Sequence, residues 1–254
     1  MNVVQAKEPS LRELEARLAI PPAGAVFTDQ ELAGLPEPVR RYLRAAIAVG
    51  TPLASSARLV QRGSIKLGKR WLPFRARQVL APHHGSVWAA RVAGVMTGSD
   101  QYADGEGRMR WKLLGLIPVM RADGPDTSRS AAGRFGGEAM WVPTTLLPRF
   151  GVTWTAESDT HITARFSVDE VGLALRITIA GDGLMRTLEF DRWGDADNSG
   201  TSRLHPFGLD VTACGTFGGV TIPRAGHGGW FHGTPRWDEG EFFRYEITSL
   251  ELIS

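Results

Sequence analysis

The sequence predicts a mainly β (α+β) protein: a curved antiparallel sheet or half-open barrel, with N-terminal helices and one inserted helix packed in the concave face. Three observations carry this reading. From about Ser56 onward, apolar and polar residues alternate with a period of two. Turn residues interrupt the alternation at short, regular spacing, which gives about ten strands. Glycine accounts for 30 of 254 residues, above the roughly 7% usual in globular chains, and bulges and bends in a curling sheet need glycine.

Residues 1–50 form a helical segment expected to pack on the main domain, which spans 51–254. Ser10 and Glu13 form a capping box ahead of Leu11, Leu14 and Leu18, and Pro21-Pro22 stops that helix. Thr28 and Glu31 repeat the signature before a very short helical turn. Pro38 then sits at the start of a helix whose stripe is Val39, Leu43, Ala46 and Ile47, ended by Gly50.

Strands follow at Ala57–Lys66, Trp71–Leu80 and Ser86–Ala93, and a further pair at Met96–Met120 turns at Asp104-Gly105. The inserted helix is expected near 126–140, capped by Asp126 or Thr127. Its glycines at 133, 136 and 137 make it a poor free-standing helix, and suit one that lies close against a sheet. The clearest alternation comes next: Ile162, Ala164, Phe166 and Val168 on one face, then Leu173, Leu175, Ile177 and Ile179, then Met185–Arg192. This is an antiparallel meander. The stretch Gly208–Leu252 reads as two or three strands around a Gly- and aromatic-rich loop at Ile222–Trp237.

Composition excludes several function classes. Lys+Arg 29 against Asp+Glu 27 leaves a net charge of +2. The basic residues are scattered, and all but Lys7, Lys66, Lys69 and Lys112 are arginine, so no nucleic-acid partner is expected. The single cysteine, Cys214, rules out an internal disulfide and multi-cysteine metal sites. No window approaches the roughly 18 apolar residues of a membrane span. Met1–Ser10 has no apolar run, so no secretory signal is expected and the expected location is the cytoplasm.

The chemistry-bearing motifs mostly fail. Gly105-Glu106-Gly107 lacks the third glycine of a dinucleotide fingerprint, no phosphate-binding loop occurs, and no serine sits in a nucleophile elbow. His83 and His84 are adjacent, and His227 and His232 are five apart, so in strands each pair would face opposite ways. No metal and no cofactor is therefore expected.

One segment stands apart: Arg134-Phe-Gly-Gly-Glu138-Ala-Met-Trp141-Val-Pro143-Thr144-Thr-Leu-Leu-Pro148. On a helix Arg134, Glu138 and Trp141 share a face. They are either an exposed ion pair beside a packed indole or a polar stripe facing a cavity, where a buried carboxylate can act as acid or base. Asp100 and Tyr102 share one strand face and are the expected partners, so Glu138, Tyr102 and Asp100 are the candidate catalytic residues. Arg134, Trp141, Trp111, Trp88 and Arg108 are the candidate ligand-binding residues. Glu106, Arg108 and Arg110 also fit a solvated face. The eight tryptophans either fill a thick core or line a pocket for a flat apolar ligand.

That segment, with Trp71-x-Pro73-Phe74-x-Ala76-x-Gln78, Trp88-x-Ala90, Asp100-x-Tyr102-x-x-Gly105-x-Gly107, Val220-Thr-Ile222-Pro223 and Trp230, resembles a bacterial family defined only as a domain of unknown function. The resemblance runs from about Leu35 to the C-terminus. Many members carry an N-terminal membrane helix, and none is expected here. The order of elements is also similar to lipoprotein-carrier folds, in which a curved sheet cups helices around an apolar cavity. The family assigns no reaction; tryptophan richness, the curved-sheet reading and the absence of catalytic signatures lead to the expected function, binding of a hydrophobic small molecule in a tryptophan-lined cavity. The alternatives are acid–base catalysis on an apolar substrate in the same cavity (an isomerase, cyclase or lyase) and a protein-interaction module.

Overall fold

The computed structural model describes residues 9–21 and 24–253. The readings made of residues 1–8, and of Pro22 as a helix stop, fall outside them. Thirteen strands form a single antiparallel sheet: β1 (Ala57–Leu67), β2 (Arg70–Ala81), β3 (Gly85–Val92), β4 (Met96–Ala103), β5 (Glu106–Leu113), β6 (Ile117–Ala122), β7 (Thr153–Ala156), β8 (His161–Val168), β9 (Val171–Ile179), β10 (Met185–Gly194), β11 (Arg203–Phe217), β12 (Val220–Trp230) and β13 (Glu241–Leu252). Their spatial order is β6-β5-β4-β3-β2-β1-β13-β12-β11-β10-β9-β8-β7. Two meanders are thus sewn together where β1 pairs with β13, and the sheet is curved but not closed.

This order explains the inserted helix. β6 is one free edge of the sheet and β7 is the other, so the chain between them must cross a face of the sheet. It does so as α3 (Pro125–Gly137), followed by short 3₁₀ turns at Glu138–Trp141, Pro143–Leu146 and Pro148–Phe150. α3 touches β3, β4 and β5 from one flank and β8, β9 and β10 from the other, so the sheet wraps around it. Glycines make this approach possible. A Cβ on Gly137 would lie 2.6 Å from the Phe190 ring, and one on Gly136 would lie 2.1 Å from the Leu173 side chain.

The other helices divide between the two faces. α2 (Glu37–Ala46) buries Val39, Tyr42, Leu43 and Ala46 in the main core, where Tyr42 packs against Trp154. α1 (Leu11–Leu18) has the expected Ser10–Glu13 capping box and lays Leu14 and Leu18 on Val79 and Val87, on the outer face.

Five sequence expectations need correction. The region 96–120 yields β4, β5 and the start of β6, and the described residues form thirteen strands rather than about ten. The expected loop Ile222–Trp237 is largely β12. Its glycines mark close strand approach, not looseness: a Cβ on Gly226 would meet the Asp210 carbonyl at 2.4 Å, and one on Gly229 would meet that of Gly240 at 2.1 Å. α3 ends at Gly137, so Trp141 belongs to a 3₁₀ turn. Neither Asp126 nor Thr127 caps α3, because Gly124 occupies the N-cap with Pro125 following. Thr28 likewise makes no capping hydrogen bond to the 3₁₀ turn Asp29–Leu32.

Candidate functional site

Between α3 and the inner face of the sheet lies a cavity of about 430 Å³, within the range of pockets that hold small ligands. Its apolar wall includes Trp88, Trp111, Trp141, Trp230, Phe190 and Phe243. Leu67, Val119 and Met120 also line it while remaining substantially exposed, so the mouth opens beside β6 and the β1–β2 turn. The deep end is closed by Met140 and Trp141, the latter donating its indole N–H to the Pro223 carbonyl at 3.1 Å and packing edge-on against Tyr245.

Four charged residues interrupt the apolar wall: Asp100, Arg134, Glu138 and Arg192. Three of them belong to a hydrogen-bonded ladder under the cavity floor. The Trp111 indole donates to Asp100 Oδ1 at 2.9 Å, and Arg134 Nη1 reaches Asp100 Oδ2 at 2.6 Å. Arg134 Nε donates to Glu138 Oε1 at 3.0 Å, and Gln78 Nε2 to Glu138 Oε2 at 2.6 Å. Gln78 accepts from Gln61 at 2.6 Å, which in turn accepts from the Trp88 indole at 3.1 Å. Gln78 Nε2 also donates to the Ser86 hydroxyl at 2.8 Å.

Indole donates only and carboxylate accepts only, so the two ends fix the direction of every amide between Trp88 and Glu138. Burial works against the Arg134 cation, and Glu138 and Asp100 more than compensate, so its pKa lies above the ordinary arginine value. Local structure sets the ladder up. Gly98 leaves room for the Trp111 ring to lie across β4, since a Cβ there would lie 2.3 Å from it, and this brings the indole N–H to Asp100.

Arg192 differs from the other three. It lies on β10 with the guanidinium 4.9 Å from the Phe207 ring centre and 4.8 Å from that of Trp230. Its hydrogen bonds are long ones to Ser130, 3.5 Å to the carbonyl and 3.4 Å to the hydroxyl. Among the described residues no carboxylate comes within 4.0 Å of it. Burial pushes its pKa down to about 9, the Arg134 cation adding to the effect while Glu138 and Asp100 oppose it. Arg192 is therefore still a cation at neutral pH. It also lines a smaller cavity of about 200 Å³, shared with Asp100 and Arg134, whose wall mixes polar residues such as Ser130, Asp195 and Ser202 with Met109, Ala131 and Phe135.

Of the residues expected from the sequence, Glu138, Asp100, Arg134, Trp88, Trp111 and Trp141 come together around the larger cavity. Two do not. The Tyr102 hydroxyl donates to Asp169 in the β8–β9 turn, and burial with that hydrogen bond pushes its pKa well up. It is a structural clamp between flanks, away from Glu138. Arg108 lines the smaller cavity instead and pairs with Glu106. Gln61, Gln78, Ser86 and Arg192 were not among the expected site residues, although each stands where strand parity places an inward side chain.

His227 and His232 also depart from the parity reading. His232 follows the end of β12, and both rings approach Asp210, His232 at 3.3 Å and His227 at 4.0 Å. Among the described residues no group of three or more His, Cys, Asp or Glu is arranged to hold a metal ion.

A model of a family of unknown function, DUF6544, matches residues 25–242. No curated protein matches the chain. Solved structures similar to it include a DUF1329 family protein from Desulfovibrio piger, 11% identical, covering 78% of this chain and 86% of that one, with a TM-score of 0.45. Another is a LolA superfamily protein from Nitrosomonas europaea, 9% identical, covering 85% and 91%, with a TM-score of 0.48.

Proposed function

The chain belongs to the family of unknown function DUF6544, and from that premise we propose that it binds a hydrophobic small molecule in the larger cavity. The observation that carries this reading is the cavity itself: about 430 Å³, walled by tryptophan, phenylalanine and aliphatic side chains, with a mouth rimmed by exposed apolar residues. Burial of apolar surface drives occupancy, at roughly 25 cal/mol per Å² removed from water. The exposed stretch Leu114, Leu116, Ile117, Val119 and Met120 adjoins the mouth and is where such a ligand would come and go.

Catalysis by Glu138 is the weaker reading. Both its oxygens are engaged, one by Arg134 and one by Gln78, so a proton transfer to substrate would first have to break the ladder. Glu138 and Asp100 serve better as a fixed floor, paired with Arg134, that orients Trp88 and Trp111.

Native mass spectrometry of freshly purified protein tests the proposal, together with the fluorescence of an apolar dye such as a naphthalene sulfonate. We expect either a co-purified apolar mass or, after delipidation, dye emission that rises on binding and falls when a fatty acid ester competes. Protein that is empty as isolated and leaves dye emission unchanged would sink the proposal.

A further inference from the structure

We propose that the ligand of the larger cavity is an amphipathic carboxylic acid, whose carboxylate is held by Arg192 and whose apolar body lies among the tryptophans. This rests on the binding reading above and specifies the chemistry of that site.

The inference comes from how the charges of the cavity wall are paired. Arg134 pairs with both Asp100 and Glu138, and every oxygen of those two carboxylates already accepts a hydrogen bond from the ladder. The four wall charges sum to zero, but Arg134 takes both carboxylates, and Arg192 is left with no directly bonded counter-ion. It faces the cavity with two long hydrogen bonds to Ser130 and two aromatic faces, and no counter-ion among the described residues. A cation in a partly desolvated site without a directly bonded counter-ion is costly, and an anion arriving with the ligand reduces that cost. A guanidinium suits a carboxylate because its planar fork donates two parallel hydrogen bonds.

Position adds to this. Arg192 stands where the apolar cavity meets the smaller, more polar one, as suits a head-group site. The aromatic rings of Phe207 and Trp230 hold the guanidinium in place before the ligand arrives. The head is a monoanion, because the floor triad of Asp100, Glu138 and Arg134 carries a net negative charge that repels the second charge of a phosphate dianion.

The test compares lauric acid, its methyl ester and dodecyl phosphate, each below its aggregation concentration, on the full chain and on Arg192→Met by calorimetric titration at pH 7.5. Methionine keeps the apolar bulk, and the variant loses a charge that has no partner, so it should fold; thermal melting checks this. The wild type is expected to bind the acid at least ~10-fold more tightly than the ester, and the phosphate more weakly than the acid. Arg192→Met should lose the preference for the acid while its affinity for the ester stays the same. Arg192→Lys should keep part of the preference, since charge remains but the fork is lost. Equal affinity of the wild type for acid and ester, or a preference that survives in Arg192→Met, overturns the head-group assignment and leaves apolar binding standing. Tighter binding of the phosphate replaces the carboxylic acid with another class and overturns it too. Binding of none of the three would overturn both this inference and the binding proposal.

Discussion

Two ion-pair triads sit on opposite faces of the same sheet, built with reversed signs. In the cavity floor one arginine, Arg134, bridges two carboxylates, with Arg134, Asp100 and Glu138 exposed by 20%, 11% and 12%. On the outer face one carboxylate, Glu246, bridges two arginines at 2.7 Å and 2.6 Å, and Arg62, Glu246 and Arg224 are exposed by 61%, 26% and 46%. The contact distances are alike. What differs is what each charge would meet if its partner vanished: water on the outer face, and tryptophan, phenylalanine and a second arginine inside. The lesson is that distance does not rank these interactions, whereas the surroundings of the abandoned partner do.

The sharpest way to break that comparison is Arg134→Met. It leaves Asp100 and Glu138 buried without their shared cation, and the expected loss is about 3–5 kcal/mol of unfolding free energy, measured by urea denaturation. A loss no greater than that of an exposed pair would show that water reaches the floor and that the two triads are equivalent.

The sequence showed half of this contrast. Arg134 and Glu138 are one helical turn apart, and three nearby glycines implied a helix pressed against a sheet, so the pair was legible. Asp100 was legible through strand parity with Tyr102. Tyr102 itself was misplaced, because parity assigns a face and not a position along it; its hydroxyl reaches the β8–β9 turn. Gln61, Gln78 and Arg192 were legible in principle. Gln61 continues the inward parity of Ala57 and Leu59, Gln78 that of Phe74 and Ala76, and Arg192 that of Leu188 and Phe190. A polar residue in register with a buried apolar series is the signal that would have found them. The meeting of β1 with β13 was not legible, since nothing local records a pairing of strands so far apart in the chain. Without it, neither the two free edges nor the reason α3 crosses the inner face can be seen.

Glu138→Gln sharpens the comparison from the carboxylate side. Arg134 keeps Asp100, so the cation is not stranded. The new amide must turn its NH₂ either toward Arg134 Nε–H or toward Gln78 Nε2, and neither can accept. Gln78 cannot reverse to help, because its oxygen already serves Gln61, whose own oxygen serves the Trp88 indole. One buried donor is left unsatisfied, at about 1–3 kcal/mol, read from the shift in urea midpoint. Tryptophan emission should change as well, since Trp88 stands at the far end of the ladder.

A pair of glycine substitutions asks how closely α3 must sit for the inner triad to form. Gly137→Ala drives a methyl into the rigid Phe190 ring and is expected to cost about 1–3 kcal/mol by overpacking. On Gly133 the added methyl meets only the Arg192 side chain, at 3.8 Å. Gly133→Ala should therefore be stabilising by up to about 1 kcal/mol, through the lower entropy of the unfolded chain. Thermal melts of the two variants should move in opposite directions. Equal effects would mean that the helix is free to lift from the sheet.

The smallest effect belongs to the outer triad. Hydrogen bonds from Arg62 and then Arg224 hold the Glu246 carboxyl below the ordinary carboxylate range. A carboxyl with a lowered native pKa stabilises the fold above its unfolded value, about 4.3 for glutamate, and loses that contribution as pH falls through the native value. Whatever Glu246 contributes is therefore present at pH 7 and absent in strong acid. Solvent screens both arms of the triad, and each arginine freed by the substitution can turn to water. Glu246→Gln is accordingly expected to leave the melting temperature at pH 7 within error of the wild type, in low salt and in 0.5 M (about a 4 Å screening length) alike. Any difference seen at low salt should vanish at high salt and again in strong acid, once pH has fallen through the lowered native value. A large, salt-insensitive loss at pH 7 would place Glu246 in a dry environment, and the contrast between the two faces of the sheet would no longer be one of solvent.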